Sequence, residues 1–368
     1  LVIGGRYGMG SKDTTPQHIK AVYDHLNSDN PFTGFTIGIT DDVTHLSLPD
    51  VHGFHINSGV TQCLFYGLGS DGTVSANKSS IKIIGDNTDL YCQAYFAYDS
   101  KKAGGATRSN LRFGNKPIRA TYYVNRADFI SCSLDNYCLK YDMLKNLKDG
   151  GRFLLNTEFT KEEIADYLPN RVKKQLADKH AKFYIINANK IAGEIGMGRR
   201  TNTILQSAFF KLAAIIPEEE AIDLMKKAAK ATYGRKGDKI VQMNYDAIDA
   251  GAKQVVEVQV PESWKNCEDE GLDMVHATEG REDVINFVNN IQAAVNAQEG
   301  NNLPVSAFKD YVDVTTPSGS AAYEKRGIAV DIPVWNPNQC IQCNRCAYVC
   351  PHAAIRPVAM TEAEAAEA

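Results

Sequence analysis

At 368 residues the chain is too long for a single compact core and points to two or three domains. Its hydrophobic share of 43% and charged share of 23% are ordinary for a soluble globular protein. A formal net charge of −4 argues against a general nucleic-acid binder, because no basic excess exists to neutralise phosphates, and no apolar run approaches a membrane span.

Nothing at the start reads as a signal peptide. Leu1 to Ile3 are already strand-like and run straight into Gly4-Gly5 with no start methionine, which suggests a piece of a larger polypeptide. Residues 1–50 look like the end of an α/β unit. The first strand leads into a turn containing Gly4, Gly5, Gly8 and Gly10. A helix from about Pro16 to Leu26 follows, with Thr15 as cap and Pro16 at its first position. A second strand, Phe35 to Ile39, ends in the acidic turn Asp41-Asp42.

Residues 51–260 alternate strand and helix, the pattern of a central α/β domain with a largely parallel sheet. Strands are expected at Cys63–Tyr66, Tyr91–Tyr98, Ala120–Val124, Arg152–Leu155 and Lys182–Ile186. Thr160 and Glu163 form a capping box ahead of Ile164. A helical run covers Asn202–Ile215, Glu218–Thr232 and Lys239–Ala250, punctuated by Pro217, Gly234 and Gly251. Residues 261–320 change character and read as a small connecting domain with an amphipathic helix near Glu282–Ala297. After Tyr323 the chain becomes a cysteine module with a polar tail.

Of nine cysteines, Cys63, Cys92, Cys132, Cys138 and Cys267 are isolated and read as small apolar side chains in a reducing cytoplasm. The other four form Cys340-x-x-Cys343-x-x-Cys346-x-x-x-Cys350-Pro351. That spacing matches the bacterial ferredoxin run, in which the first three thiolates bind one 4Fe–4S cluster and the fourth reaches a second. Zinc favours two separated pairs, and a disulfide does not suit the compartment. A second such run does not appear in the chain, so the first three thiolates lack a fourth protein ligand here. Ala347, Tyr348, Val349 and Ala353 would give the cluster an apolar shell.

Gly67, Gly69, Asp71 and Gly72 form a glycine-rich turn after the strand CLFY and before a helix near Asn77–Ile84. It could hold a dinucleotide or another phosphate-bearing cofactor, or be a plain strand–helix turn. Ser100, Lys101 and Lys102, ahead of Gly104-Gly105, could likewise meet phosphates or form a solvated loop. The loop of Gly193, Gly196, Gly198, Arg199 and Arg200 favours the plain reading. No Ser-His-Asp order, zincin helix or Walker loop is legible. Gly85-Asp86-Asn87 only superficially resembles a thiamine diphosphate motif.

The stretches IGGRYGMGSKDTTP, GLGSDGTVSANKSSIKIIGDN, AYFAYDSKKAGG, NLRFGNKPI, EKRGIAVDIPVW and CIQCNRCAYVCPHAAIRP resemble the pyruvate:ferredoxin (flavodoxin) oxidoreductases. The resemblance runs from Leu1 to about Pro357. It implies that residues 1–50 end a transketolase C-terminal-like domain and that 51–260 form a gamma-type oxidoreductase domain. Residues 261–305 would then be a linking domain, and 306–368 the first half of a ferredoxin-like domain. It further implies a cytoplasmic homodimer that uses thiamine diphosphate, coenzyme A and 4Fe–4S clusters. Such an enzyme converts pyruvate and coenzyme A to acetyl-CoA and CO2 and passes electrons to ferredoxin or flavodoxin. The thiamine- and pyruvate-binding domains would lie in the rest of the polypeptide. Coenzyme A phosphates would meet either the Gly67–Gly72 turn with Asn77 and Lys78, or Ser100, Lys101 and Lys102. The alternative is an electron-transfer or cofactor-binding subunit of a split 2-oxoacid oxidoreductase; a nicotinamide dehydrogenase using Gly67–Gly72 is a more distant reading.

Overall fold

The computed structural model describes residues 2–8, 13–56, 59–99, 104–324 and 334–367. Two compact units emerge, Leu1–Arg326 and Gly327–Ala368.

The first unit opens on β1 (Gly5–Arg6), which lies beyond Ile3 and pairs in parallel with β2 (Phe35–Thr36). The helix between them is Pro16–Leu26. Its Thr15 hydroxyl accepts the His18 amide, and His18 Nδ1 accepts the Thr15 amide, so a histidine completes the cap that Glu or Gln usually makes.

The main sheet has seven strands: β3 (Thr61–Leu68), β4 (Tyr91–Ala97), β5 (Ala106–Gly114), β6 (Ala127–Cys132), β7 (Leu147–Asn156), β8 (Lys182–Ile186) and β9 (Val256–Val258). Their order across the sheet is β4-β5-β3-β6-β7-β8-β9. The pairs β3–β6, β6–β7 and β7–β8 are parallel, whereas β5 and β9 run against their neighbours. Five strands therefore share one direction, and the sheet is largely parallel.

Three sequence expectations differ here. Ala120–Val124 is not a strand: its backbone is held by side chains, Val124 donating to Asn110 Oδ1 and the Ala120 carbonyl accepting from Gln93. The strand lies at Ala127–Cys132 instead. β5 also went unseen, because its sequence ATRSNLRFG buries Asn110 and Arg112 at 1% and 2% exposure and so breaks the apolar signal.

Alternation along the strands divides two cores. Cys63, Phe65, Leu111 and Phe129 face the helices Thr73–Asn87, Asn202–Ala213 and Asp238–Lys253, with Phe209 at the centre, 5.0 Å from Phe65 and 5.4 Å from Phe129 between ring centroids. Leu64, Ile130, Phe153 and Phe183 face the helix Asn170–Asp178 and Trp264. Cys63, Cys132 and Cys138 are buried as free thiols. The Thr160–Glu163 box starts only the short helix Ile164–Tyr167: Thr160 donates both its amide and its hydroxyl to the Glu163 carboxylate. The helix from Glu282 runs through a π turn, Val288–Gln292, to Asn296.

In the second unit, a 3-10 turn Pro337–Gln339 precedes the helix Arg345–Val349, and a last helix spans Glu362–Glu367. Among the described residues no helix is long and apolar enough to cross a membrane.

Candidate functional site

The cysteine run lies wholly in the second unit. Cys340, Cys343 and Cys346 are exposed, and Cys350 is half-buried. Gln342 and Asn344 take left-handed backbone, φ 54° and 56°, which folds the chain back between successive cysteines. The Gln342 amide donates to Cys340 Sγ at 3.4 Å, and the Ala354 amide to Cys350 Sγ at 3.3 Å. Backbone hydrogen bonds hold both thiols below the usual cysteine range, with the Gln342 amide as the main cause at Cys340.

Soft thiolates that accept backbone N–H groups are the donor chemistry an iron–sulfur cluster takes. The residues fit the group in kind. Their sulfurs are not gathered: among the described residues no three His, Cys, Asp or Glu side chains are arranged to hold one metal ion. The expected apolar shell is also open, since Tyr348 is 91% and Val349 71% exposed.

The glycine-rich turn lies at the carboxyl end of β3, where the helix Thr73–Asn87 begins. The crossovers from β3 and β6 diverge at this point, since β5 lies on one side of β3 and β6 on the other. Asp71 dominates its geometry. Its carboxylate accepts the amides of Leu68 at 2.9 Å and Thr73 at 2.7 Å, and the Thr73 hydroxyl at 2.8 Å. An internal carboxylate thus occupies amides that could otherwise cradle a phosphate. Gly72, at φ 91°, packs against Asn202, and a Cβ there would come within 2.5 Å of the Asn202 amide.

The other candidate residues separate. Asn77 is 3% exposed, and its Nδ2 lacks a hydrogen-bond partner among the described residues, in a small cavity bordered by Thr73, Ser133 and Asn202. Lys78 Nζ sits 5.3 Å from the Phe96 ring centroid. Ser100, Lys101 and Lys102 lie outside the described residues. Gly105 lies beside the turn, its carbonyl accepting the Gly69 amide at 2.8 Å. Gly196, by contrast, is the left-handed cap of the helix Ala188–Ile195, and Gly85-Asp86-Asn87 is simply the end of the helix Thr73–Asn87. Asn202 and Ser133 went unseen in the sequence, since each reaches the turn only through the fold.

Residues 332–355 match a 4Fe–4S binding domain, and residues 275–329 match a domain of unknown function known as EKR. The pyruvate-flavodoxin oxidoreductase of Enterobacter agglomerans is 51% identical over 366 residues, 99% of this chain and 31% of that protein. The pyruvate:ferredoxin oxidoreductase of Moorella thermoacetica is 50% identical over 371 residues, 100% of this chain and 31% of that protein. The pyruvate dehydrogenase (NADP+) of Cryptosporidium parvum is 46% identical over 389 residues, 99% of this chain and 20% of that protein. The chain therefore spans about a third or less of the length of these relatives. Among solved structures, a pyruvate oxidoreductase subunit of Thermotoga maritima aligns at 17% identity with a TM-score of 0.44, over 55% of this chain and 99% of that one. The pyruvate ferredoxin/flavodoxin oxidoreductase model matches residues 62–254, more than half of the chain, which belongs to that family.

Proposed function

We propose that the chain is the electron-carrying and coenzyme-binding portion of a pyruvate:ferredoxin (flavodoxin) oxidoreductase. The observation that carries this reading is close sequence identity to such enzymes along the whole chain, joined to an intact Cys340–Cys350 run. In the whole enzyme pyruvate and coenzyme A would yield acetyl-CoA and CO2, with ferredoxin or flavodoxin as acceptor. Thiamine diphosphate, held by the rest of the polypeptide, would supply the electron sink for decarboxylation. A cytoplasmic homodimer rests on the resemblance alone.

Cys340, Cys343, Cys346 and Cys350 would ligate 4Fe–4S clusters, and the amides on Cys340 and Cys350 would help set their potential. Coenzyme A would lie at the Gly67–Gly72 turn with Asn77 and Lys78, or at Ser100, Lys101 and Lys102. With Asp71 on the turn's amides, the lysines would meet the phosphate charge. Lys101→Ala combined with Lys102→Ala would then raise the KM for coenzyme A in the whole enzyme; an unchanged KM would remove the lysines from the site.

Anaerobic iron and sulfide analysis, with electron paramagnetic resonance of the dithionite-reduced and reconstituted chain, tests the redox role. A reduced-cubane signal that disappears in Cys343→Ser supports it. Stoichiometric zinc in place of iron would sink it.

A further inference from the structure

At the opposite end of β3 from the glycine-rich turn lies a cavity of about 280 Å³. Thr61 and Gln62 of β3, Asp128 of β6 and Lys148 of β7 form its floor. Tyr122, Asn125 and Arg126 of the segment between β5 and β6, with Pro16 and His55 from the opening segment, complete its lining.

Asp128 is already compensated, accepting the Gln62 amide at 2.8 Å and Lys148 Nζ at 2.6 Å. Gln62 Oε1 accepts from Arg112 Nε at 3.0 Å, which leaves Gln62 its Nε2 to donate. Arg126 is exposed at the rim and pairs with no carboxylate among the described residues.

Behind this lining sits a buried cation. Arg112 is 2% exposed, with Nη1 on Gln93 at 3.0 Å and Nη2 without a partner among the described residues. Its guanidinium stacks 4.9 Å from the centre of the Tyr122 ring, and both Tyr122 and Gln62 border the cavity. The carboxylate that acts on Arg112 from nearby, Asp13, is committed to the Tyr123 amide at 2.9 Å. Asp13 offsets part of this charge, and the other groups that hold the guanidinium, Gln62, Gln93 and the Tyr122 ring, are neutral.

We propose that this cavity binds a small oxyanion, a phosphate or a carboxylate, held by Arg126 and the side-chain Nε2 of Gln62, with the Arg112 guanidinium behind them. Nothing in this proposal depends on where coenzyme A binds, since the two places lie at opposite ends of β3.

Isothermal titration of the 368-residue chain with inorganic phosphate and, separately, with acetate tests it. Saturable binding of at least one is expected. Arg126→Gln should weaken that binding about tenfold, the weight of one charge-assisted hydrogen bond. Gln62→Glu should abolish it by placing a carboxylate between Arg112 and the cavity. Circular dichroism checks that both variants are folded, and Arg126, being exposed, is the safer of the two. Saturation by phosphate alone assigns the site to phosphate esters, and saturation by acetate alone assigns it to carboxylates. No saturable binding of either ion, or affinity unchanged in Arg126→Gln, overturns the proposal.

Discussion

Asp71 accepts both the amide of Thr73, at 2.7 Å, and its hydroxyl, at 2.8 Å, so a carboxylate of the chain itself closes the turn that the glycines open. The helix Thr73–Asn87 starts at Gly72, which has no side chain to cap it, and Asp71 supplies the cap from one residue earlier. Replacing an N-terminal helix cap by alanine typically costs about 1 kcal/mol, and loss of the negative charge beside the helix dipole adds a few tenths. Asp71→Ala should therefore destabilise the chain by about 1–2 kcal/mol, read as a lower urea midpoint with unchanged slope. A midpoint equal to that of the unaltered chain would mean that water replaces the cap without cost.

The cysteines divide by exposure, and that division is chemically testable. Cys340, Cys343 and Cys346 are exposed, whereas Cys63, Cys132 and Cys138 are buried. Burial also pushes the buried thiols up, Cys138 to about 12. In the iron-free native chain at pH 8, iodoacetamide should label the exposed three first and the buried three only after unfolding. Reconstitution with iron and sulfide should then protect Cys340, Cys343 and Cys346. Equal labelling before and after reconstitution would count against cluster ligation.

Much of the fold was legible where local chemistry and burial agree. Thr15 and Pro16 marked the first helix to the residue, and the apolar run Lys182–Ile186 marked β8. β5 was not legible because Arg112 and Asn110 are buried, a choice that makes sense only once Gln62, Gln93 and Val124 surround them. The candidate site divides the same way. The cysteine run announces itself by spacing. The turn's phosphate reading could not anticipate that Asp71 would occupy the amides, because a carboxylate one residue before a helix reads equally well as ligand or as cap.

A contact between distant parts of the chain should respond to acid. The Ser306 amide donates to Asp42 Oδ1 at 2.9 Å, beside the Val305 amide, which donates to the Thr40 carbonyl at 2.9 Å. The Ser306 hydroxyl, then its amide, hold Asp42 below its ordinary value of 3.8. A depressed folded-state pKa gives a contribution that is present above the unfolded value and lost as pH falls through the folded one. Protection of the Val305 amide against hydrogen exchange, corrected for intrinsic rate, should hold down to about pH 4 and fall below it. Asp42→Asn should give reduced protection already at pH 7. Protection indifferent to both changes would mean that Thr40 alone pins the segment.

Two helices of the helical layer approach closely at Gly251. A Cβ built there would lie 2.3 Å from the Ile204 carbonyl oxygen and 2.9 Å from Ser207 Cβ. Both neighbours belong to the helix Asn202–Ala213, and Ser207 adds a hydrogen bond across the seam, its hydroxyl donating to the Ile248 carbonyl at 2.6 Å. Neither the carbonyl nor the helix can yield cheaply, because Phe209, Ala208 and Ile204 on the same helix are fully buried against the sheet. In an open helix, Gly→Ala would stabilise by roughly 0.5–1 kcal/mol. Here overpacking opposes that gain, at a cost of about 1–3 kcal/mol or more. Gly251→Ala should therefore lower stability by about 1–3 kcal/mol, with a thermal shift of several degrees. An unchanged or raised midpoint would show that the two helices can slide apart freely, and that the seam does not fix the layer behind the glycine-rich turn.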